Sequence, residues 1–175
     1  MGVELKKITH KDIDDFKLIQ KWNNDNSIKY LLRPNFKEGE IEDITLEELI
    51  EGTRINEYKH TYMIVENDKK VGFVTINTNF KMLFNESDDT AWISICVGDN
   101  KYRGKGIGLK VMKLLEDKVM KLGKNKIELG VFEYNTKAIN FYEKNGYRAI
   151  GKSENFVYYN ENWYSDIRME KQINL

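Results

Sequence analysis

A short loop rich in glycine and basic residues is the strongest chemical feature of this sequence. Glycines allow the backbone to take positive φ angles, so several N–H groups can converge on one anion. A helix that begins just after the loop would direct its unpaired amides and partial positive charge to the same place. The loop therefore predicts a site for a phosphate or diphosphate. It consists of Arg103, Gly104, Lys105, Gly106, Ile107 and Gly108.

Two other phosphate-binding motifs fit this loop less well. A P-loop requires Gly, four residues and then Gly-Lys-Ser/Thr, which the loop lacks. The dinucleotide fingerprint requires GxGxxG at the first strand–helix turn, whereas these glycines follow GxGxG and lie far into the chain. On the loop alone, a simple strand-to-helix turn remains the competing interpretation.

Two helices are expected around this chemistry. One follows the loop over 107–122, where apolar residues at helical spacing form a stripe and Gly123 supplies a C-terminal stop. The other covers 136–144, with Asn135 as its N-cap and with Ala138 and Tyr142 on one face. Taken alone, the second helix is a short amphipathic helix with a tyrosine in the core.

The rest of the sequence predicts the elements that position these segments. Thr9 is a plausible N-cap for the first helix, and Thr45-Leu46-Glu47-Glu48 matches a capping box. The stretch 26–43 is expected to be irregular. The apolar content of 90–97 predicts a strand buried on both faces. The other expected elements are helices over 10–22 and 45–55 and strands over 5–8, 61–65, 71–77, 127–132, 147–151, 156–159 and 163–169.

This order of elements predicts one α/β or α+β domain over residues 1–175, built on a central mixed sheet. Lys+Arg and Asp+Glu balance at 28 each, which gives no reason to expect nucleic acid or a membrane as a partner. Cys96 is the only cysteine and His10 and His60 are the only histidines, so no disulfide and no metal site is expected. Without a signal core or an apolar run of membrane-spanning length, the expected localisation is cytoplasmic.

Two segments together resemble the GNAT superfamily of N-acetyltransferases. Val97–Gly108 resembles its pyrophosphate-binding motif, Gln/Arg-x-x-Gly-x-Gly/Ala, and is similar to the Rim-like branch of ribosomal-protein and spermidine acetyltransferases. Asn135–Tyr147 is similar to the second motif, Asn-x-x-Ala-x-x-x-Tyr-x-x-x-Gly-Tyr/Phe, at the expected distance. The resemblance implies a single domain with a mixed, mostly antiparallel sheet of about seven strands and about four helices, splayed between the fourth and fifth strands.

The resemblance also implies a reaction, the direct transfer of an acetyl group from acetyl-CoA to a primary amine. Tyr142 matches the general acid that protonates the CoA thiolate. The Val97 N–H matches the oxyanion donor, and the pantetheine arm would pair with the open strand edge. Cys96 between the contact positions is expected to pack in the core. The implied acetyl-CoA contacts are Ile95, Val97, Arg103, Gly104, Lys105, Gly106, Ile107, Gly108 and Asn135.

The general base is where the sequence departs from this pattern. Some relatives carry Glu where Trp92 stands, and an indole cannot accept the proton. The base then lies elsewhere, is a chain of water molecules, or is unnecessary for a less basic amine. Ser94, Glu128 and the acids Glu86, Asp88 and Asp89 are weak candidates, and the acidic loop fits a solvated surface turn better.

The acceptor stays open between a small-molecule amine and a protein N terminus. In this superfamily the first two helices, the loop between them and the last hairpin build the acceptor pocket, and here they are acidic and aromatic, which favours a cationic amine. A homodimer is compatible with the sequence. The alternative function is a non-catalytic acetyl-CoA-binding or regulatory domain. The residues of that pocket region are Asp12, Asp14, Asp15, Trp22, Asp25, Tyr30, Phe36, Glu38, Glu40, Glu42, Asp43, Glu47, Glu48, Trp163, Tyr164 and Asp166.

Overall fold

The computed structural model describes residues 2–173, which form a seven-stranded mixed sheet with helices packed on it. The strands are β1 Val3–Ile8, β2 Lys59–Glu66, β3 Lys69–Asn77, β4 Thr90–Cys96, β5 Lys126–Phe132, β6 Arg148–Tyr159 and β7 Asn162–Gln172. The helices are α1 Ile13–Asn23, α2 Lys29–Leu32, α3 Leu46–Arg54, α4 Ile107–Lys121 and α5 Thr136–Lys144, with a 3₁₀ turn at Asn100–Tyr102. The expected fold class is confirmed, and α2 is the helix beyond the expected four.

The sheet has the strand order β1-β2-β3-β4-β5-β7-β6. All neighbours are antiparallel except β4 and β5, which run parallel and are joined through α4. A parallel pair needs a crossover connection, and the glycine loop with its helix supplies it. The loop therefore leaves the carboxyl end of β4, beside the one parallel pair of the sheet.

β4 and β5 pair only at their beginnings. The register joins Thr90 to Lys126, Ala91 to Ile127 and Trp92 to Glu128, and no further pairs follow. β4 continues to Cys96 on β3, while β5 continues to Phe132 on β7. The two strands therefore separate after Trp92 and Glu128, which confirms the expected splay.

Each face of the sheet carries its own hydrophobic cluster. One cluster places Val111 and Leu115 of α4 and Tyr142 of α5 against alternate strand residues. The other joins Phe16 and Trp22 of α1 to the opposite face. We call the face covered by α4 and α5 the donor face, and the face covered by α1 and α3 the acceptor face.

Several expected boundaries in the first half of the chain are wrong. The first helix begins at Ile13 rather than at residue 10, because Thr9 and Asp12 form a turn before it. The Asp12 carboxylate accepts hydrogen bonds from both Thr9 N (2.7 Å) and Thr9 Oγ1 (3.0 Å), so Thr9 does not act as the N-cap. The stretch 26–43, expected to be irregular, contains α2.

Two expectations about the strands are also corrected. The expected strands over 147–151 and 156–159 are one strand, β6, with irregularities in its register that absorb the polar residues between them. Burial of β4 on both faces is wrong, since on its acceptor face Trp92 is half-buried and Ser94 is exposed. None of the helices within residues 2–173 is both long and apolar enough to span a bilayer.

Candidate active site

The loop between β4 and α4 is organised by its own side chains. Asp99 accepts a hydrogen bond from Lys101 N (2.9 Å) and starts the 3₁₀ turn. The Arg103 guanidinium turns back onto the end of β4, where Nε donates to the Val97 carbonyl (2.8 Å) and Nη2 to the Gly98 carbonyl (2.6 Å). Arg103 thus holds the loop backbone, and that leaves its remaining donors for any ligand.

Backbone amides at the start of α4 are free of protein partners. Within residues 2–173, the N–H groups of 104–109 donate to no protein acceptor, and the helix has no side-chain N-cap. Gly104 (φ 72°) and Gly106 (φ 78°) adopt the left-handed conformation that glycine takes without strain. A Cβ added to either glycine would have no atom within 4 Å, so the backbone conformation and not a lack of space requires glycine there.

The edge of β4 beyond Trp92 has no strand beside it on the β5 side. Ile95 is half-buried in the last part of this edge, and Val97 follows just after the strand ends at Cys96. Both side chains pack against the donor-face cluster that also contains Tyr142. The predicted contacts Ile95 and Val97 therefore lie on the same face of the sheet as α5.

Tyr142 is a buried residue, with 8% of its surface exposed. Its ring packs edge-on against Phe141 (5.3 Å between centroids) and Tyr147 (5.7 Å). Its hydroxyl makes no hydrogen bond to residues 2–173, whereas that of Tyr147 contacts Glu116 Oε1 at 3.3 Å. Burial raises the pKa of Tyr142 well above its usual value, so the phenol is fully protonated at neutral pH.

Asn135 lies at the carboxyl end of β5 and starts α5. Its side-chain oxygen accepts a hydrogen bond from Ala138 N (3.3 Å), which confirms the expected N-cap. Its side-chain amide donates to no residue within 2–173 and is available to a ligand. Gly108 at the start of α4 lets the two helices approach, because a Cβ there would lie 3.1 Å from the Phe141 ring.

Trp92 sits between an aromatic ring and a guanidinium on the acceptor face. Phe80 stacks on it at 4.5 Å between centroids, and the Arg168 guanidinium carbon lies 4.8 Å from its ring. Such stacking stabilises both the indole and the cation. Trp92, which stands where some relatives carry Glu, is thus a structural part of the acceptor face.

Arg168 also joins two buried carboxylates and the β3–β4 loop. Its Nε donates to Asp166 Oδ2 (2.6 Å), and its Nη1 donates to Glu128 Oε1 (3.1 Å) and to the Met82 carbonyl (2.8 Å). Glu128 Oε1 also accepts from Phe84 N (2.7 Å). These contacts hold the β3–β4 loop over the acceptor face.

The weak candidates for a general base lie in different surroundings. Glu128 is buried and its Oε1 is engaged by two donors. Ser94 is hydrogen-bonded side chain to side chain with Thr75 at 2.6 Å. Glu86, Asp88 and Asp89 are exposed and precede β4, at the strand end opposite Val97, as a surface turn would be.

A cavity of about 610 Å³ opens on the acceptor side, between the segment after α1 and the β6–β7 hairpin. Tyr30, Tyr134 and Tyr159 form its aromatic wall, with Tyr30 and Tyr159 stacked at 4.5 Å and Tyr134 against Tyr159 at 4.7 Å. The Tyr134 hydroxyl donates to the Tyr30 carbonyl at 2.6 Å. This cavity lies where the acidic and aromatic acceptor region was expected.

The charges that line this cavity differ in how far they are already paired. Lys29 forms an ion pair with Asp43 at 3.2 Å. Arg33 donates to the Asn23 and Glu42 carbonyls and to the Asn24 side chain, and burial lowers its pKa. Glu40 and Glu161 also line the cavity and form no ion pair with residues 2–173. Arg33 forms no ion pair with residues 2–173 either, so the charges without an ion-pair partner at this cavity are two negative groups and one positive group.

Tyr134, Arg168 and the anchoring of the β3–β4 loop were not predicted from the sequence. Their only sequence signal is a polar residue in an otherwise apolar strand, as with Glu128 in Ile127–Phe132. Cys96 packs in the acceptor-face cluster as expected, and burial raises its pKa to about 12. Within residues 2–173, no three His, Cys, Asp or Glu side chains are grouped to hold a metal ion.

Comparison with curated proteins finds two acetyltransferases. The chain is 34% identical over 101 residues to the spermine/spermidine N(1)-acetyltransferase of Bacillus subtilis, an alignment that covers 54% of this chain and 62% of that protein. It is 33% identical over 57 residues to the thialysine N-epsilon-acetyltransferase of Mus musculus, over 33% of this chain and 34% of that one. The chain thus matches less than two thirds of the length of either relative.

Comparison with solved structures extends the likeness to the whole fold. The spermidine N-acetyltransferase from Vibrio cholerae, in complex with CoA and spermine, has a TM-score of 0.78 at 21% identity and covers 98% of this chain and 95% of its own. An N-acetyltransferase from Staphylococcus aureus Mu50 has a TM-score of 0.73 at 18% identity, over 99% and 100%. The family model described as "Acetyltransferase (GNAT) family" matches residues 19–147, most of the chain. The protein therefore belongs to the GNAT acetyltransferase family.

Proposed function

We propose that this protein transfers the acetyl group of acetyl-CoA directly to a primary amine of a small cationic acceptor of the polyamine class. One observation carries the donor half of the proposal. Free backbone amides at 104–109 lie next to the unpaired edge of β4, so an anion site adjoins a strand edge that a second extended chain can complete. Acetyl-CoA has both parts, a pyrophosphate and a pantetheine arm with two amide groups.

The residues of the loop divide this work between backbone and side chain. The amides of Gly104, Lys105, Gly106, Ile107 and Gly108 would bind the pyrophosphate, with Lys105 adding charge. Arg103 would support the same site by fixing the carbonyls of Val97 and Gly98. Ile95 and Val97 would line the pantetheine arm, with the Val97 N–H at the thioester oxygen. Asn135 would hold the arm through its side-chain amide.

Tyr142 would act as the general acid. Its hydroxyl has no protein partner within residues 2–173, and burial keeps it protonated. When the C–S bond of the thioester breaks, the thiolate would accept the phenol proton, and the phenolate would recover a proton from the reacting nitrogen through solvent. An ordinary thiol, with a pKa of about 8.5, is a stronger acid than this phenol, so the proton transfer is favourable only together with C–S cleavage and the return of a proton from the reacting nitrogen.

The acceptor side supports a cationic amine. The cavity offers the faces of Tyr30, Tyr134 and Tyr159, and aromatic faces attract ammonium groups. Its lining carries the unpaired acids Glu40 and Glu161, while the guanidinium of Arg33 is held on the Asn23 and Glu42 carbonyls. The names of two relatives, spermine/spermidine and spermidine acetyltransferases, agree with an elongated polyamine.

An amine panel tests the function directly. Release of CoA thiol is measured with purified protein, acetyl-CoA and a panel of spermidine, spermine, an aminoglycoside, lysine analogues and N-terminal peptides. The proposal expects turnover with the polyamines above the others. Binding of acetyl-CoA with no turnover on any amine would instead establish the non-catalytic alternative, and preference for peptides would move the acceptor to a protein N terminus.

A matched pair of glycine variants distinguishes loss of the acetyl-CoA site from the general effect of adding a side chain at a glycine. Gly106→Val introduces a β-branched residue at φ 78°, where such residues are strained. Gly52→Ala changes an α3 glycine with no backbone atom near the added Cβ. Gly106→Val is expected to weaken acetyl-CoA binding by at least about tenfold, since a loss of about 1.4 kcal/mol suffices. Gly52→Ala should bind acetyl-CoA like the parent protein.

A further inference from the structure

A surplus of negative charge is buried on the acceptor face, just past the point where β4 and β5 separate. Glu128 and Asp166 share a single cation, Arg168. All three side chains are at most 7% exposed. The next buried acid along β7, Glu170, has its own partner in Arg148 at 2.8 Å. The Glu128–Arg168–Asp166 cluster therefore carries one carboxylate more than its guanidinium can neutralise.

The two carboxylates of this cluster are used differently. Glu128 Oε1 accepts from both Phe84 N and Arg168 Nη1, so this acid anchors the β3–β4 loop. Asp166 Oδ2 accepts from Arg168 Nε. Asp166 Oδ1 accepts from no donor within residues 2–173. Glu128 Oε2 accepts from no donor within those residues either, so the two acids are distinguished by their positions.

The carboxylate of Asp166 lies directly over Gly130. A Cβ built on Gly130 would be 2.7 Å from Asp166 Oδ1, 2.8 Å from Oδ2 and 2.9 Å from the Trp92 ring. Gly130 belongs to the part of β5 that has separated from β4, so it borders the gap in the sheet. Asp166 thus covers the acceptor-face side of that gap, at the rim where an amine would reach a thioester held along β4.

Burial of a carboxylate whose charge is only partly compensated is unfavourable. Burial accordingly raises the pKa of Asp166, and the hydrogen bond and charge of Arg168 offset that rise only in part. The negative charge of Glu128 raises it further. An ammonium group at Oδ1 would supply the missing cation and relieve this cost.

We infer that Asp166 binds the ammonium group of the acceptor and accepts its proton, in the place that Trp92 cannot fill. This inference rests on the proposed function. The balance is R–NH₃⁺ plus Asp166 carboxylate giving R–NH₂ plus Asp166 carboxylic acid. The amine lone pair then forms the C–N bond and the C–S bond breaks. The nitrogen then loses its second proton, which replaces through solvent the proton that Tyr142 gives to the thiolate. Asp166 releases its own proton to solvent.

The groups around Asp166 leave few other sources of pH dependence. Arg168 on β7 and Glu128 on β5 are the charged groups that act on it. β4 contributes Trp92 and β6 contributes Ser153, opposite Asp166 in the register, and neither titrates in the working range. A pH dependence lost on removal of the Asp166 carboxylate can therefore be assigned to that group.

The test compares Asp166→Asn with Glu128→Gln, because each removes one carboxylate from Arg168. The values of kcat/KM for spermidine are measured from pH 6 to pH 10, with acetyl-CoA Kd by calorimetry and unfolding midpoints as further readouts. Asp166→Asn should lower kcat/KM at pH 7 by about 10²-fold or more, the range of general-base catalysis. The loss should shrink as the pH approaches about 10.4, where a lysine-like amine deprotonates unaided. Acetyl-CoA Kd should stay near that of the parent.

Glu128→Gln should keep the Asp166-dependent limb of the pH profile, moved toward lower pH because the negative charge that raises the pKa of Asp166 is removed. Gly130→Ala provides a second variant, since its Cβ displaces the Asp166 carboxylate without removing it, and it should also lower kcat/KM. Three results would overturn the role of Asp166 but not the proposed function. They are a parent-like rate in Asp166→Asn, a loss of the same size at all pH values, and the same pH change in Glu128→Gln. A parent protein that acetylates no amine overturns the proposed function, and the assignment with it.

Discussion

The donor half and the acceptor half of the site are built from interactions of very different range. In the donor half, Arg103 holds carbonyls five and six residues away, and Asn135 caps an amide three residues away. In the acceptor half, Phe84 binds Glu128 across 44 residues and Tyr134 binds Tyr30 across 104. The donor half is therefore encoded in short contiguous segments, whereas the acceptor half exists only once the sheet is assembled.

The two halves also present different chemistry to a ligand. The donor half offers backbone amides and a strand edge, which depend on glycine positions more than on particular side chains. The acceptor half offers carboxylates and tyrosine rings, which individual substitutions can change. This difference implies that substitutions can change the acceptor specificity while the affinity for acetyl-CoA stays constant. Variants that act on one half should leave the other half intact.

The largest expected effect comes from Arg168→Met. It leaves Glu128 and Asp166 buried without their cation, so the free energy of unfolding should fall by about 3–5 kcal/mol. The matched control is Lys152→Met, which breaks an exposed ion pair with Glu154 and should cost about 0–1 kcal/mol. Urea denaturation measures both. Equal stability of the two variants would show that the acceptor face does not depend on its buried charges.

Tyr142→Phe should reduce kcat by about 10²-fold, because the general acid is lost. Acetyl-CoA Kd should change less than twofold, since the ring remains (a hydroxyl-only loss of less than about 0.4 kcal/mol). Tyr147→Phe is the control, a neighbouring buried tyrosine whose hydroxyl contacts Glu116. Steady-state kinetics on both variants measures the difference in kcat. Unchanged kcat in Tyr142→Phe would remove Tyr142 from the chemistry.

Tyr134→Phe is expected to act on the acceptor alone. It removes the hydrogen bond to the Tyr30 carbonyl, worth about 1 kcal/mol, and should raise KM for spermidine about fivefold. KM for acetyl-CoA should not change. Tyr158→Phe is the control, because Tyr158 lines the same cavity and its hydroxyl bonds to no residue within 2–173. A matching rise in KM for acetyl-CoA would show that the halves are coupled.

The smallest expected effect is a pH dependence of stability in Asp166→Asn. The folded-state pKa of Asp166 is raised, so the folded protein binds its proton more tightly than the unfolded chain does. The stability that this proton contributes is complete below the unfolded value of about 3.9 and is lost as the pH rises through the raised pKa. Unfolding midpoints from pH 4 to pH 8 should therefore shift in favour of Asp166→Asn as the pH rises. A constant difference would contradict the raised pKa.

The sequence predicted the donor half closely because its signals are local. α4 begins at Ile107 and α5 spans Thr136–Lys144, as expected from glycines, caps and apolar spacing. The capping box at Thr45 and Glu48 is present, with both reciprocal hydrogen bonds. These features depend on residues within one or two turns of each other.

The acceptor half was predicted only in outline, for physical reasons. A pattern of residue types located the acidic and aromatic region, yet it could not pair Glu128 with Arg168 on a strand 40 residues later. α2 has four residues, too few for a helical period to be visible. Thr9 looked like a cap because its side chain can accept a hydrogen bond, but the turn made by Asp12 delays the helix.

The most direct test of two separable halves is a pair of titrations of ¹⁵N-labelled protein followed by amide chemical shifts. Acetyl-CoA should perturb the amides of 93–97 and 104–109 most strongly, and those of Tyr30, Tyr134 and Tyr159 little. Spermidine should do the reverse. Acetyl-CoA shifts centred on the tyrosine cavity, or no shifts at 104–109, would contradict the account.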